Sequence, residues 1–263
     1  MIYLRSIALK EAGGEGYPFS TPLLRSFTHL NFSAPVTVFC GDNGCGKTTL
    51  IELIAAKARA ERIGPPRGAL TEGQARIRRA VDAFRAARAG TPSRCFLFTA
   101  EGFSKYVDYV VAEKRYARGE LEALSGLYGS DYARDLASQP YQGTLAALDA
   151  LYAAPLEEQS HGQGFLDFFR SRLLPGGLYL MDEPEAALSY INQLALIYLI
   201  LDAVKAGSQF LIATHSPILA ACPQAALLEM EERTLTPKAY DELSNVQFLK
   251  YFLGAHAHIF EED

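Results

Sequence analysis

The chain is poor in cysteine and carries no long apolar run. Its 263 residues hold four cysteines, Cys40, Cys45, Cys95 and Cys222, with neither C-x-x-C spacing nor the even ladder of a disulfide framework. That excludes a disulfide-stapled fold, argues against a structural zinc site and suits a reducing compartment. No apolar stretch approaches the roughly 18 residues that a membrane-spanning helix needs. The start, MIYLRSIALKEAGG, lacks a basic segment followed by a long apolar one, so no secretory signal is expected and the cytoplasm is the expected location. Internal repeats, heptad arrays, a low-complexity tail and a convincing interdomain linker are also missing. What remains, with 49% apolar and 21% charged residues, has a globular composition and length enough for one large domain with a substantial core.

Against that plain background the segment Gly41 to Thr48, GDNGCGKT, stands out, because it fits G-x-x-x-x-G-K-[ST]. Its flanks matter as much as its letters. Val36 to Cys40 (VTVFC) reads as a buried strand, and Lys47 to Ala60 as a helix with Leu50, Ile51, Leu53 and Ile54 apolar. A strand that enters a helix through Gly41, Gly44 and Gly46 can turn successive N–H groups of Asn43, Gly44, Cys45 and Gly46 inward, and the helix N-terminus adds partial positive charge. The expected ligand is a nucleotide phosphate chain. Lys47 should reach its β- and γ-phosphates, Thr48 should offer a hydroxyl to Mg²⁺, and Thr49 should lie at the α-phosphate. Cys45 sits in this loop beside a lysine and a helix N-terminus, so its alkylation is expected to block nucleotide binding.

The rest of the chain alternates strand and helix patterns. Tyr3 to Leu9 and Phe27 to Phe32, separated by the Gly/Pro-rich GGEGYPFSTP, predict a small antiparallel sheet near the N-terminus. Glu72 to Ala89 has the periodicity of an amphipathic helix, with Ile77, Ala80, Val81, Phe84 and Ala87 on one face and arginines mostly on the other. Cys95 to Thr99 predicts a strand, Gly102 to Arg118 a helix, and the stretch to about Ser160 reads as irregular. Leu178 to Met181 and Gln209 to Thr214 predict strands with the helical run Ala186 to Lys205 between them, which implies a parallel sheet. The expected fold is α/β: a P-loop NTPase with a mostly parallel central sheet, an N-terminal antiparallel β-subdomain, and a helical lobe inserted at about 95–175 in a single domain, 1–263.

Three further motifs fall at element ends. LYLMDEP ends a strand on Asp182 and Glu183, at the edge where open α/β sheets bind ligands. Neighbouring side chains diverge, so Asp182 can complete a Mg²⁺ shell begun by Thr48 while Glu183 orients or deprotonates a water. A helix N-cap with acidic first-turn residues is the structural alternative. His215 in ATHSP follows the next strand and can contact a γ-phosphate. The third motif, SHGQG (160–164), opens an amphipathic run to Leu174 and could present backbone N–H groups and a hydroxyl at a helix N-terminus, although on its own a surface turn is the better reading.

Taken in order, GDNGCGKT, SHGQG, LYLMDEP and ATHSP resemble the phosphate loop, signature, Walker B strand and switch histidine of the ABC-type ATPases. DEPEAALS (182–189) and GSQFLIATHSP (207–217) are similar to stand-alone bacterial ATPases of the AAA family related to the SMC and DNA-repair branch. The resemblance runs from about Tyr3 to the C-terminus and is weakest at 64–94 and 117–160. It implies ATP and Mg²⁺ as cofactors, Glu183 and His215 as catalytic residues, and a homodimer. In that dimer Ser160, Gly162 and Gln163 of one chain would cap the ATP held by the other. Two departures stand out: FTAEGF puts Glu101 where the family has a metal-contacting glutamine, and Ser189 replaces the aspartate of the following loop.

Other absences narrow the function. No N-K-x-D is present to read a guanine base, and a kinase would leave SHGQG and ATHSP without a role. The net charge is −5, yet Lys57 to Arg94 carries ten Lys or Arg against three acids, a local balance of +7. That segment is either a phosphate-contacting surface for nucleic acid or a solvated helix face. The expected function is ATP-driven dimerisation acting on a macromolecule, DNA being one candidate. The alternative is the nucleotide-binding subunit of a membrane transporter.

Overall fold

The computed structural model describes residues 1–10, 14–65, 68, 70–149, 161–231 and 233–259, and of 161–163 and 256–258 the backbone only. In chain order the elements are β1 (Leu4–Leu9), α1 (Pro22–Ser26), β2 (His29–Asn31), β3 (Val36–Gly41), α2 (Lys47–Ala58), β4 (Glu61–Arg62), α3 (Glu72–Ala80), β5 (Phe84–Arg88) and β6 (Cys95–Thr99). There follow α4 (Ala100–Ser125), α5 (Asp131–Asp149), α6 (His161–Arg172), β7 (Leu178–Asp182), α7 (Tyr190–Lys205), β8 (Gln209–Ala213), α8 (Pro217–Ala220), β9 (Ala226–Glu231), β10 (Thr234–Pro237) and α9 (Ser244–Ile259). They form two compact units, one of residues 1–62, 69–100 and 174–263, the other of 63–68 and 101–173.

The larger unit holds both sheets. Its central sheet runs β10-β9-β3-β8-β7-β6-β4, parallel throughout except for the β10–β9 edge pair. Strands β3, β7 and β8 are buried along almost their whole length, as expected of parallel strands covered on both faces. Helix α2 packs on this sheet through Leu50, Ile51, Leu53 and Ile54, all fully buried in the main core with Phe39, Leu180 and Leu211. It stops at Arg59, whose left-handed conformation lets its N–H close on the carbonyls of Ala55 and Ala56.

The antiparallel sheet is β2-β1-β5, so the predicted pair acquires a third strand. That strand corrects the predicted helix 72–89. The helix ends at Ala80, a 3-10 turn covers Val81–Ala83, and Phe84–Arg88 is extended against β1. Helical periodicity put Phe84 on the buried face, and Phe84 is indeed fully buried. What periodicity could not weigh is pairing: β1 otherwise presents an open edge, and β5 satisfies it. The two sheets are tied by Gln209, fully buried at the start of β8. Its Oε1 accepts from the N–H groups of Tyr3 and Leu4 at 2.8 and 2.9 Å, and its Nε2 donates to the Leu4 carbonyl at 3.0 Å.

The smaller unit is helical. Phe103 contacts Phe165 and Phe168 with ring centroids 5.2 and 5.3 Å apart, and the Arg172 guanidinium lies 4.1 Å over the Phe168 ring. The stretch expected to be irregular is largely helical as far as Asp149, since α4 continues to Ser125 and α5 spans Asp131–Asp149 with Pro140 inside it, and its remainder, 150–160, lies outside the described residues. These turns bury little apolar surface: Tyr132 and Leu136 are exposed, and Ser138 is the buried residue of α5. A helix without a buried stripe leaves no clear period in the sequence.

Candidate functional site

Strands β3, β8 and β7 lie side by side and parallel, so their carboxyl ends bring three loops to one edge. The first is the glycine loop. Gly41, Gly44 and Gly46 have φ of 141°, 81° and 104°, and a Cβ at Gly41 would stand 2.5 Å from the Met230 carbonyl oxygen. Gly46 in the left-handed region caps α2, and Lys47 and Thr48 open that helix. Thus the strand, the turn and the helix N-terminus are the ones the glycine spacing predicted.

Lys47 is 4% exposed, and its ammonium donates to the carbonyls of Gly41 and Asp42, both at 2.9 Å, with Cys45 Sγ at 3.7 Å. The cation is therefore folded along the inner wall of its own loop. Neutral carbonyl acceptors leave its charge uncancelled, which suits an anion such as phosphate. Asn43 and Gly44 are exposed at the loop tip, and Thr49, buried on α2, has its hydroxyl 3.3 Å from that of Tyr17.

The second loop leaves β7. Asp182 is buried at the strand end, where Thr48 Oγ1 donates to its Oδ1 at 3.2 Å. Burial pushes the Asp182 carboxyl up to about 7, the Thr48 hydrogen bond opposes that rise, and the nearby Glu183 and Glu52 carboxylates add to it. Glu52, one helical turn beyond Thr48, is ion-paired with Arg62 of β4. Glu183 takes a left-handed conformation, φ 47° and ψ 51°, then a 3-10 turn covers Pro184–Ala187. A non-glycine residue held there costs of order 1–2 kcal/mol. The turn sends the Glu183 side chain away from the buried strand, leaving it 42% exposed.

The third loop follows β8. His215 Nε2 lies 3.2 Å from Glu183 Oε1, so a carboxylate and an imidazole that are 32 residues apart face each other across two neighbouring strands. Thr214 N–H continues the ladder onto the Phe39 carbonyl, and Ser216 Oγ caps α8 while donating to Gln193 Oε1.

Lys47, Thr48, Asp182, Glu183 and His215 thus meet at one sheet edge. Gly41, Asn43, Gly44, Cys45, Gly46 and Thr49 lie in the same glycine loop and the start of α2, and the remaining expected site residues fall in other segments. Glu101 belongs to the smaller unit, in the first turn of α4, where its carboxylate takes the Lys105 ammonium at 2.6 Å. Ser160 lies outside the described residues. Gly162 and Gln163 fall in the first turn of α6, where only the backbone is described. Ser189, in place of an aspartate, is the N-cap of α7, accepting from Asn192 N–H.

Two residues escaped the sequence reading. Glu185 Oε1 accepts the His215 N–H at 2.6 Å, and Asn245 Nδ2 of α9 donates to the His215 carbonyl at 2.9 Å. The signal for Glu185 was the third acid of DEPEA, whereas Asn245 lies in no motif.

A protein-family model described as an AAA domain matches residues 21–56, from α1 through the glycine loop into α2. A nucleotide-free ATP-binding cassette from an ABC transporter superimposes with a TM-score of 0.50 at 17% identity, covering 100% of both chains. The ADP conformation of an ATP-binding cassette of an ABC transporter gives 0.50 at 18% identity, over 98% of this chain and 99% of that one. The chain has the fold of an ABC-type P-loop ATPase. An Smc head domain from Pyrococcus furiosus, bound to the C-terminal domain of ScpA, is similar with a TM-score of 0.48 at 13% identity, covering 96% of this chain and 100% of that one. No curated protein matches. In this chain the glycine loop, the acidic strand end and the histidine loop occupy the carboxyl edge of the central sheet, where α/β folds bind ligands.

Proposed function

We propose that the chain binds ATP and hydrolyses it with Mg²⁺, and that ATP draws two copies into a head-to-tail dimer that acts on a macromolecule. The observation that carries this reading is the convergence of Lys47, the Thr48–Asp182 pair and the Glu183–His215 pair at one sheet edge. The donor set fits the metal. Thr48 and Asp182 offer hard oxygens, and among the described residues no group of three or more His, Cys, Asp or Glu could form an all-protein cage. Mg²⁺ suits such a site because it keeps waters and shares phosphate oxygens. When bound it neutralises charge on the phosphates. Lys47 would hold the phosphates as a point charge. Glu183 would orient a water and take its proton, and the His215 imidazole would keep the Glu183 carboxylate aimed at it.

Three variants test the reading together. Lys47→Ala should lose ATP binding, Glu183→Gln should bind ATP while kcat falls by about 10²–10⁴-fold, and Ser160→Arg should bind ATP but stay monomeric. A Glu183→Gln protein that turns over at the wild-type rate would remove Glu183 as the base.

Double-stranded DNA is the first partner to test. Part of the basic segment 57–94 is committed internally: Lys57 donates to the Val81 carbonyl, Arg88 to the Lys57 carbonyl, and Arg62 and Arg76 pair with Glu52 and Glu72. Arg59, Arg78 and Arg85 are exposed. These three support a small phosphate footprint, so affinity should fall by about tenfold or more between 50 and 200 mM salt. Salt-insensitive binding, or none at low salt, would exclude DNA. The two superimposing cassettes come from ABC transporters, so a transporter subunit is the second reading. Among the described residues no helix is long and apolar enough to cross a membrane, and co-purification with an integral membrane protein would favour that role.

A further inference from the structure

His215 is held through its peptide groups by side chains from two distant elements. Glu185, on the turn after β7, accepts its N–H at 2.6 Å, and Asn245, in the first turn of α9, donates to its C=O at 2.9 Å. Neither contact involves the imidazole, whose hydrogen-bond partner among the described residues is Glu183 and which is about one-third exposed. The backbone is fixed so that the ring's place follows from it. On one side the β8 ladder ends with Thr214 on Phe39, and on the other Ser216 is locked by the α8 cap and by Gln193, itself buried and bonded to the Leu188 carbonyl.

Asn245 is in turn anchored. Leu243 and Val246, on either side of it, are 0% and 2% exposed, and Ser244 N–H donates to Glu229 Oε1 at 2.8 Å. Glu229 is buried within β9, where it pairs with Cys40 near the carboxyl end of β3. The first turn of α9 therefore cannot shift without moving the His215 carbonyl or breaking this bond. Beyond that turn Phe248, Tyr251 and Leu253 of α9 are exposed.

We propose that Glu185 and Asn245 are positioning residues for His215, fixing its N–H and C=O so that the imidazole stands against Glu183 before nucleotide arrives. Asn245 makes the start of α9 part of the hydrolytic machinery. This rests on the ATPase reading for its kinetic consequence, but not for its structural one.

The isosteric Asn245→Asp removes the donor and keeps the shape. It should lower kcat at least tenfold with KM for ATP within twofold of wild type, and in a His215→Ala background it should have no further effect. A purely structural asparagine would lower activity in both backgrounds. Glu185→Ala should accelerate hydrogen exchange at the His215 amide at least tenfold, whereas Glu185→Gln, which keeps Oε1 as an acceptor, should recover most of that protection and most of the lost rate. Wild-type kcat in Asn245→Asp, additivity with His215→Ala, or a His215 amide that exchanges as fast in wild type as in Glu185→Ala would overturn the proposal. If the wild-type protein binds ATP without hydrolysing it, the ATPase reading fails, and the exchange measurement still decides whether His215 is held.

Discussion

Asp182 shows how one residue is poised at a cost. Its carboxyl, raised from the usual 3.8 to about 7 chiefly by burial, binds a proton more tightly folded than unfolded. The contribution to stability is therefore complete below pH 4 and is lost as pH rises toward 7. Without metal or nucleotide, Asp182→Asn, which keeps an acceptor for Thr48, should be more stable than wild type at pH 8. The gap should shrink by about 2 kcal/mol at pH 5. Urea unfolding at the two pH values checks this, and an equal gap at both would exclude Asp182 as its source. Adding Mg²⁺ at pH 8 should stabilise the wild type and leave the variant unchanged. Cys45 belongs at the same scale. Burial pushes the thiols of Cys40, Cys95 and Cys222 up to about 12, 11 and 11, while Cys45 Sγ lies in the phosphate loop 3.7 Å from the Lys47 ammonium. A limiting dose of N-ethylmaleimide should modify Cys45 first and abolish ATP binding. A fully modified protein that still binds ATP would contradict that, and Cys45→Ser should be insensitive.

Elements divide into those whose partners are local and those whose partners are far away in sequence. Strands β3, β7 and β8 and helix α2 were legible because buried parallel strands are apolar throughout and the glycine loop dictates its own flanks. The 72–89 segment was misread at its second half because extended pairing of Phe84–Arg88 with β1 is decided across about 80 residues, which no local period records. Site residues divide in the same way. Lys47, Thr48, Asp182, Glu183 and His215 sit in motifs, whereas Asn245 acts through one bond to a residue 30 positions earlier and leaves no pattern. Gln209 is the clearest case of such a hidden tie. Replacing it by leucine would strand two N–H groups and one carbonyl between the sheets, each costing about 1–3 kcal/mol. Gln209→Leu should therefore lose several kcal/mol in urea unfolding, with hydrogen exchange rising first at Tyr3 and Leu4. Exchange that rises instead across the central sheet would mean that the glutamine supports β8 alone.

At the scale of the whole molecule the glycine loop, the carboxylates and the histidine all come from the larger unit, and the SHGQG motif begins in 150–160 and runs into α6 of the smaller one. The resemblance to ABC-type ATPases implies that this motif completes the site of a second copy, so the rate per chain should depend on protein concentration. Initial rates at saturating ATP should rise with concentration until dimers dominate, while a self-sufficient monomer would give a constant specific activity. Glu183→Gln sharpens the test, since slowed hydrolysis holds the ATP-bound state. Light scattering should then show the mass doubling from 28.8 kDa with ATP but not with ADP. If two copies clasp two nucleotides, the trapped species should contain one ATP per chain, and Ser160→Arg should bind ATP without the mass change. A Glu183→Gln protein saturated with ATP that stays monomeric at every concentration would leave the loop, the carboxylates and His215 to act within a single chain. In that case Ser160→Arg should leave its turnover unaltered.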